Sequence, residues 1–147
     1  SLYGTGVTVP DIDIGVPAEN YTASWTDGTL VNQSNPANET GKITTVQVYS
    51  KANMTTVWVA TFYRPDPSGF PNNLTTRDSE YISDLIVAGF HGYAVDLEVE
   101  AGDYIGIMFQ NGDIEKKIGG EVGLWYINFF CIFILLRFSL AFNKLSL

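Results

Sequence analysis

Val95-Asp96-Leu97-Glu98-Val99-Glu100-Ala101-Gly102-Asp103-Tyr104-Ile105-Gly106-Ile107 decides the fold class of this chain. Side chains of a β-strand alternate between its two faces, so Val95, Leu97 and Val99 share one side and Asp96, Glu98 and Glu100 the other. Ala101-Gly102-Asp103 reads as a tight turn, after which Ile105, Ile107 and Phe109 again fall on one face. The stretch predicts a half-buried antiparallel pair, apolar inside and acidic outside.

Upstream the same period recurs. Residues 43–50 alternate, and residues 54–63 resume the pattern after Lys51-Ala52-Asn53, which predicts two strands joined by a turn at 51–53. In the second of them Val57, Val59 and Thr61 oppose Trp58, Ala60 and Phe62, so both faces carry apolar groups and the strand belongs at the centre of the sheet or under a partner. Residues 81–88 form a further strand ended by Gly89. Asn111-Gly112-Asp113 is read as a turn closing the strand that starts at Tyr104, and residues 122–127 as the last strand. The spacing predicts an all-β, antiparallel β-sandwich of the jelly-roll type.

Composition agrees with one domain. The chain has 147 residues, 16% charged and 14% aromatic, which is long enough for a core of its own. Residues 1–28 read as an extended N-terminal arm interrupted by Pro10 and Pro17, with extended pieces at 6–9 and 21–25. Residues 29–127 form the sandwich, and 128–147 an apolar tail. Residues 31–38 are polar and turn-forming. Arg64-Pro65-Asp66-Pro67-Ser68-Gly69-Phe70-Pro71-Asn72 is a loop and the foremost place for an exposed functional surface. The chain opens on Ser1 and is read as a processed mature chain or a fragment.

All sixteen acidic residues lie at or before Glu121, giving residues 1–123 a net charge of −10 against six basic groups. Such a body repels phosphate backbones and excludes nucleic acid as the expected partner. The one cysteine, Cys131, sits in the tail, so the globular part has no disulfide. Residues 124–142 are apolar apart from Asn128, Arg137 and Ser139. The stretch admits three readings: a membrane anchor, one or two strands that complete a sheet here or in a neighbouring copy, with Phe129, Cys131, Phe133 and Leu135 on one face, or an artefact of an uncertain gene end.

Catalysis is not expected, since His91 stands in a turn without a nucleophile motif around it. Asp96 and Glu98 share a strand face as a glycosidase pair would, yet read more simply as a solvated surface. Asp11, Asp13, Asp103 and Asp113 offer oxygen ligands of the kind calcium takes from turns. Trp25, Trp58, Tyr63, Phe70 and Tyr81 are candidates for an aromatic sugar platform. Five of the ten asparagines, Asn20, Asn32, Asn38, Asn53 and Asn73, head N-linked glycosylation sequons, which points to an extracellular or cell-surface protein.

The stretch from Val95 to Ile107 resembles the late hairpin of extracellular jelly-roll domains found in phage, bacterial and environmental surface proteins. That resemblance implies a carbohydrate-binding, adhesion or structural module. Together, the N-terminal arm, the sandwich and the sequons also resemble subunits of glycosylated surface filaments, in which an arm of one subunit completes the sheet of the next. Self-association into a homopolymer is then expected, with residues 2–14 or 128–140 as the donated strand.

Overall fold

The computed structural model describes residues 2–6, 11–21, 23–116, 123–128, 137 and 139–146. Within them the chain is all-β and antiparallel, with ten strands: β1 (Leu2–Gly6), β2 (Ile12–Gly15), β3 (Ala23–Asn32), β4 (Gly41–Tyr63), β5 (Asn73–Ile86), β6 (Gly89–Val99), β7 (Tyr104–Lys116), β8 (Gly123–Ile127), β9 (Ser139–Ala141) and β10 (Asn143–Ser146). They form one hydrogen-bonded sheet.

The expected turn at 51–53 is not a turn. β4 runs unbroken for 23 residues, and its pairing with β7 slips twice, between Ser50 and Ala52 and between Ala52 and Thr55. Extra residues on one strand of a ladder bend it without reversing it. Here Thr56 takes a left-handed φ of 54°, and Ser50 Oγ donates to the Ala52 carbonyl, binding the bend to itself. Asn111-Gly112-Asp113 is likewise no turn but the matching irregularity inside β7. Gly112 has a φ of 102°, and a Cβ there would lie 2.2 Å from the Asn53 carbonyl oxygen, so the approach of the two strands needs glycine.

The first half of β4 pairs with β1 on one edge and β6 on the other. Its second half pairs with β7 and β5 in the same way. The bend lays the two halves against each other: Thr61 Oγ1 donates to the Glu98 carbonyl at 2.8 Å, and a Cβ on Gly4 of β1 would lie 2.8 Å from Ile105 Cδ1 of β7. Between the wings lies the main core, with Leu2, Ile12, Ile14, Ile43, Val57, Val59, Leu97, Ile105 and Phe109 fully buried. The alternation expected for residues 95–100 holds, with Val95, Leu97 and Val99 buried and Asp96, Glu98 and Glu100 exposed.

The N-terminal residues do not form an arm apart from this sheet. Leu2, Ile12 and Ile14 are core residues, and β1 pairs with both β2 and β4. The polar stretch 31–38 starts later than expected, since Val31 and Asn32 still belong to β3.

A second core explains why both faces of the later β4 are apolar. Trp58, Ala60 and Phe62 point away from the main core into a cluster with Val31, Leu74, Met108, Trp125 and Phe142. These side chains come from a closed circuit of strands. β5 pairs with β9 at Asn73↔Ala141 through Thr75↔Ser139. β10 pairs with β8, β8 with β3, β3 with β7 and β7 with β4. Only Phe142 separates β9 from β10. Its N–H donates to the Asn72 carbonyl at 2.9 Å, and its ring meets Phe62 edge-on with centroids 6.0 Å apart. The end of the tail therefore completes this chain's own sheet. The proposed face of Phe129, Cys131, Phe133 and Leu135 lies outside the described residues. Among the described residues no helix is long and apolar enough to cross a membrane.

Candidate functional site

Arg77, in the middle of β5, gathers the most polar chemistry. Its guanidinium bonds both carboxylate oxygens of Asp103, with Nη2 at 3.1 Å from Oδ1 and Nε on Oδ2. It also pairs with Glu100 at 3.0 Å and covers the Tyr63 ring with its Cζ 4.6 Å from the centroid. Bidentate contact fixes both planes, and Asp103 accepts the Glu100 N–H as well, which ties down the 101–103 turn. The two acidic partners raise the arginine's already high pKa, with the Asp103 hydrogen bond as the largest cause. Among the described residues, shallow depressions border Arg77 on three sides. One of ≈ 370 Å³ touches Lys42, Glu98 and Glu100, another of ≈ 370 Å³ touches Tyr63, Arg64, Pro67 and Tyr104, and one of ≈ 280 Å³ touches Thr75, Thr76 and Arg137.

The loop over residues 64–72 forms one rim, and it is built rather than loose. Asp66 accepts from the Gly69 N–H at 2.8 Å and from Ser68 Oγ at 3.0 Å, which holds its carboxyl below the ordinary range. Arg64 Nε donates to the Pro71 carbonyl at 2.9 Å while its guanidinium lies over Trp125. Phe70 stands exposed on the loop.

The expected aromatic platform is divided. Tyr63 belongs to the Arg77 site. Trp58 and Tyr81 face each other across β4 and β5 with centroids 5.3 Å apart, and Trp25 packs on Tyr126 at 4.6 Å.

The four aspartates offered for calcium are likewise dispersed. Asp103 is buried and neutralised by Arg77. Asp113 accepts from Thr26 Oγ1. Asp11 stands just before β2 and Asp13 within it, where Asp13 serves Tyr3. Among the described residues no three acidic, histidine or cysteine side chains gather as metal ligands. His91 bonds the Val87 carbonyl at 2.7 Å and stacks near Tyr93. Asp96 pairs with Lys42 at 2.9 Å on the solvent face of β6, where both groups are exposed.

The Tyr3 phenol is pushed up to about 12, chiefly because its proton is bonded to Asp13 and secondarily by burial. Since the folded value is the higher one, this contact stabilises the fold fully below pH 10 and its contribution disappears as pH rises through about 12. A phenolate absorbance titration of the protein minus that of Tyr3→Phe should centre near 12 and drop toward 10 in Asp13→Asn. A difference curve already centred at 10 would remove the contact.

The sequon asparagines divide by what their carboxamides do. Asn32 is buried, and its Nδ2 donates to the Leu2 carbonyl at 3.0 Å. A sugar on this nitrogen would have to be accommodated beside that bond at a site only 6% exposed, which sets Asn32 apart from the other sequon asparagines. Asn38 is exposed but pinned, accepting from the Asp13 N–H at 2.7 Å and donating to the Asp11 carbonyl at 3.0 Å. Asn20 and Asn53 are exposed and Asn73 half-buried.

Two sheet edges are closed by side chains in a way the alternation pattern could not reveal. Along β2, Asn38 takes the Asp13 N–H while Asn35 Nδ2 donates to the Gly15 carbonyl and the Asn35 carbonyl receives the Gly15 N–H. Along β6, the N–H groups of Asp96 and Glu98 donate to the carboxylates of Glu80 and Asp78 on β5, at 3.0 and 2.9 Å. Compared with family models, curated proteins and solved structures, the chain gives no match.

Proposed function

We propose that this chain is a non-catalytic extracellular structural subunit of a surface fibre or appendage, whose copies join by β-strand pairing. The observation that carries the reading is the closure of the strand circuit by the segment 139–146, through short ladders on β5 and β8. An element held by two short ladders and one aromatic anchor can make the same bonds to a second copy, which is the logic of strand exchange. The edges of β2 and β6 are stoppered by Asn35, Asn38, Asp78 and Glu80, so pairing between copies is directed to the tail and away from unspecific edge contacts. The sequons support an extracellular setting.

Leu74 and Leu140 are register partners, so cysteines at both positions in a Cys131→Ser background report where the tail pairs. Oxidation of concentrated protein is expected to give a covalent ladder on denaturing gels, with filaments in electron micrographs. Quantitative closure within single chains, and single particles in the micrographs, would sink the reading. A second reading, a carbohydrate-binding or adhesion module, is favoured by Tyr63, Arg64 and Pro67 lining a depression beside Arg77, with Phe70 exposed on the same loop. Glycan capture by a strictly monomeric chain would select it.

A further inference from the structure

The bend of β4 sets Lys51, Ala52 and Asn53 beside the connection from β5 to β6, and the Asn53 Oδ1 accepts the Ala88 N–H at 3.1 Å. That connection and the strand ends flanking it are unusually apolar for a surface. Leu85 is 50% exposed, Val87 48% and Phe90 54%, three of the five large hydrophobic side chains exposed among the described residues. A concentration of apolar surface on an exposed bend calls for a cover.

We propose that Asn53 carries an N-linked glycan whose first sugar covers this apolar bend. The sequon Asn53-Met54-Thr55 is intact. Attachment at Nδ2 leaves Oδ1 free to keep its bond to Ala88, so the fold pre-orients the carboxamide and directs the sugar along the bend. In the reaction, Nδ2 forms a bond to C1 of the reducing-end N-acetylhexosamine of a lipid-diphosphate-linked oligosaccharide. The bond from C1 to the diphosphate oxygen breaks, the lipid diphosphate leaves, and Nδ2 gives up one proton. The C–H face of the pyranose then packs on Phe90 and Val87, as ring faces and apolar side chains do on sugars. Asn32 serves as an internal contrast, because its buried Nδ2 is held by Leu2.

This inference rests on the extracellular reading above. The test is the full chain secreted from a glycosylating eukaryotic cell, mapped by glycopeptide mass spectrometry. Sugar on Asn53 and none on Asn32 is expected. Asn53→Gln should lose that mass and bind an apolar fluorescent dye several-fold more strongly, and adding Phe90→Ser should return dye binding to the parent level. A bare Asn53 in a chain glycosylated at Asn20 or Asn73 would overturn the proposal and leave the extracellular reading standing. A chain bare at every sequon would overturn both, and N53Q without a change in dye binding would overturn the covering role.

Discussion

Replacing Phe142 with alanine is expected to destabilise the fold by about 3 kcal/mol, the lower part of the range for deleting a buried phenylalanine ring. Phe142 is 6% exposed and packs in the second core with Leu74, Phe62 and Trp125. It is also the single residue joining the ladder on β5 to the ladder on β8. The loss should therefore be local as well as large. Amide exchange should accelerate at 73–75 and 124–126, which pair with the tail, while β1 and β6, which pair with the first half of β4, keep their protection. Trp125 should report the opening by a red shift of its emission, since its Nε1 donates to Asn72 Oδ1 at the same seam. Uniform acceleration across all strands would mean that the circuit has no separable seam, and the tail could then not exchange without global unfolding.

Much of this architecture was legible in the residues because it follows from alternation. The half-buried strand at 95–99 and the double-faced strand at 57–62 each read correctly, since side-chain period alone reports which faces are covered. The bend at 51–56 misled because Lys51-Ala52-Asn53 has turn composition, and whether a chain reverses or bulges there depends on the partner strand. Gly112 and Asp113, sixty residues away in sequence, supply that partner. Asn111-Gly112-Asp113 was misread for the same reason: its glycine serves close approach between strands. The loop over 64–72 was recognised from its prolines, whereas Tyr63 was named only as one of five aromatics, with no sign that it lies under Arg77. Arg77 was missed because nothing in its neighbours along the chain marks it, and its importance lies in Asp103, 26 residues on. The only cue was rarity, one of eight basic residues in an acidic chain.

Arg77→Met should destabilise by about 3–5 kcal/mol, far more than loss of an exposed ion pair, because it strands a buried carboxylate. The Asp103 side chain is 4% exposed and that of Arg77 21%, so water cannot take over both N–H donors. Methionine keeps most of the packing on Tyr63, which isolates the charge from the volume. Asp103→Asn on its own should cost less, since an amide oxygen still accepts the Glu100 N–H that Asp103 receives in the fold. The double variant Arg77→Met with Asp103→Asn should recover a substantial part of the single loss, because the charge that needed a partner is gone. Urea unfolding of the four proteins reads this directly. Additive losses would mean that Arg77 acts through its contacts with Tyr63 and Glu100 alone. Strong coupling would identify the Arg77–Asp103 pair as what fixes the 101–103 turn, and with it the rim on which the carbohydrate-binding alternative depends.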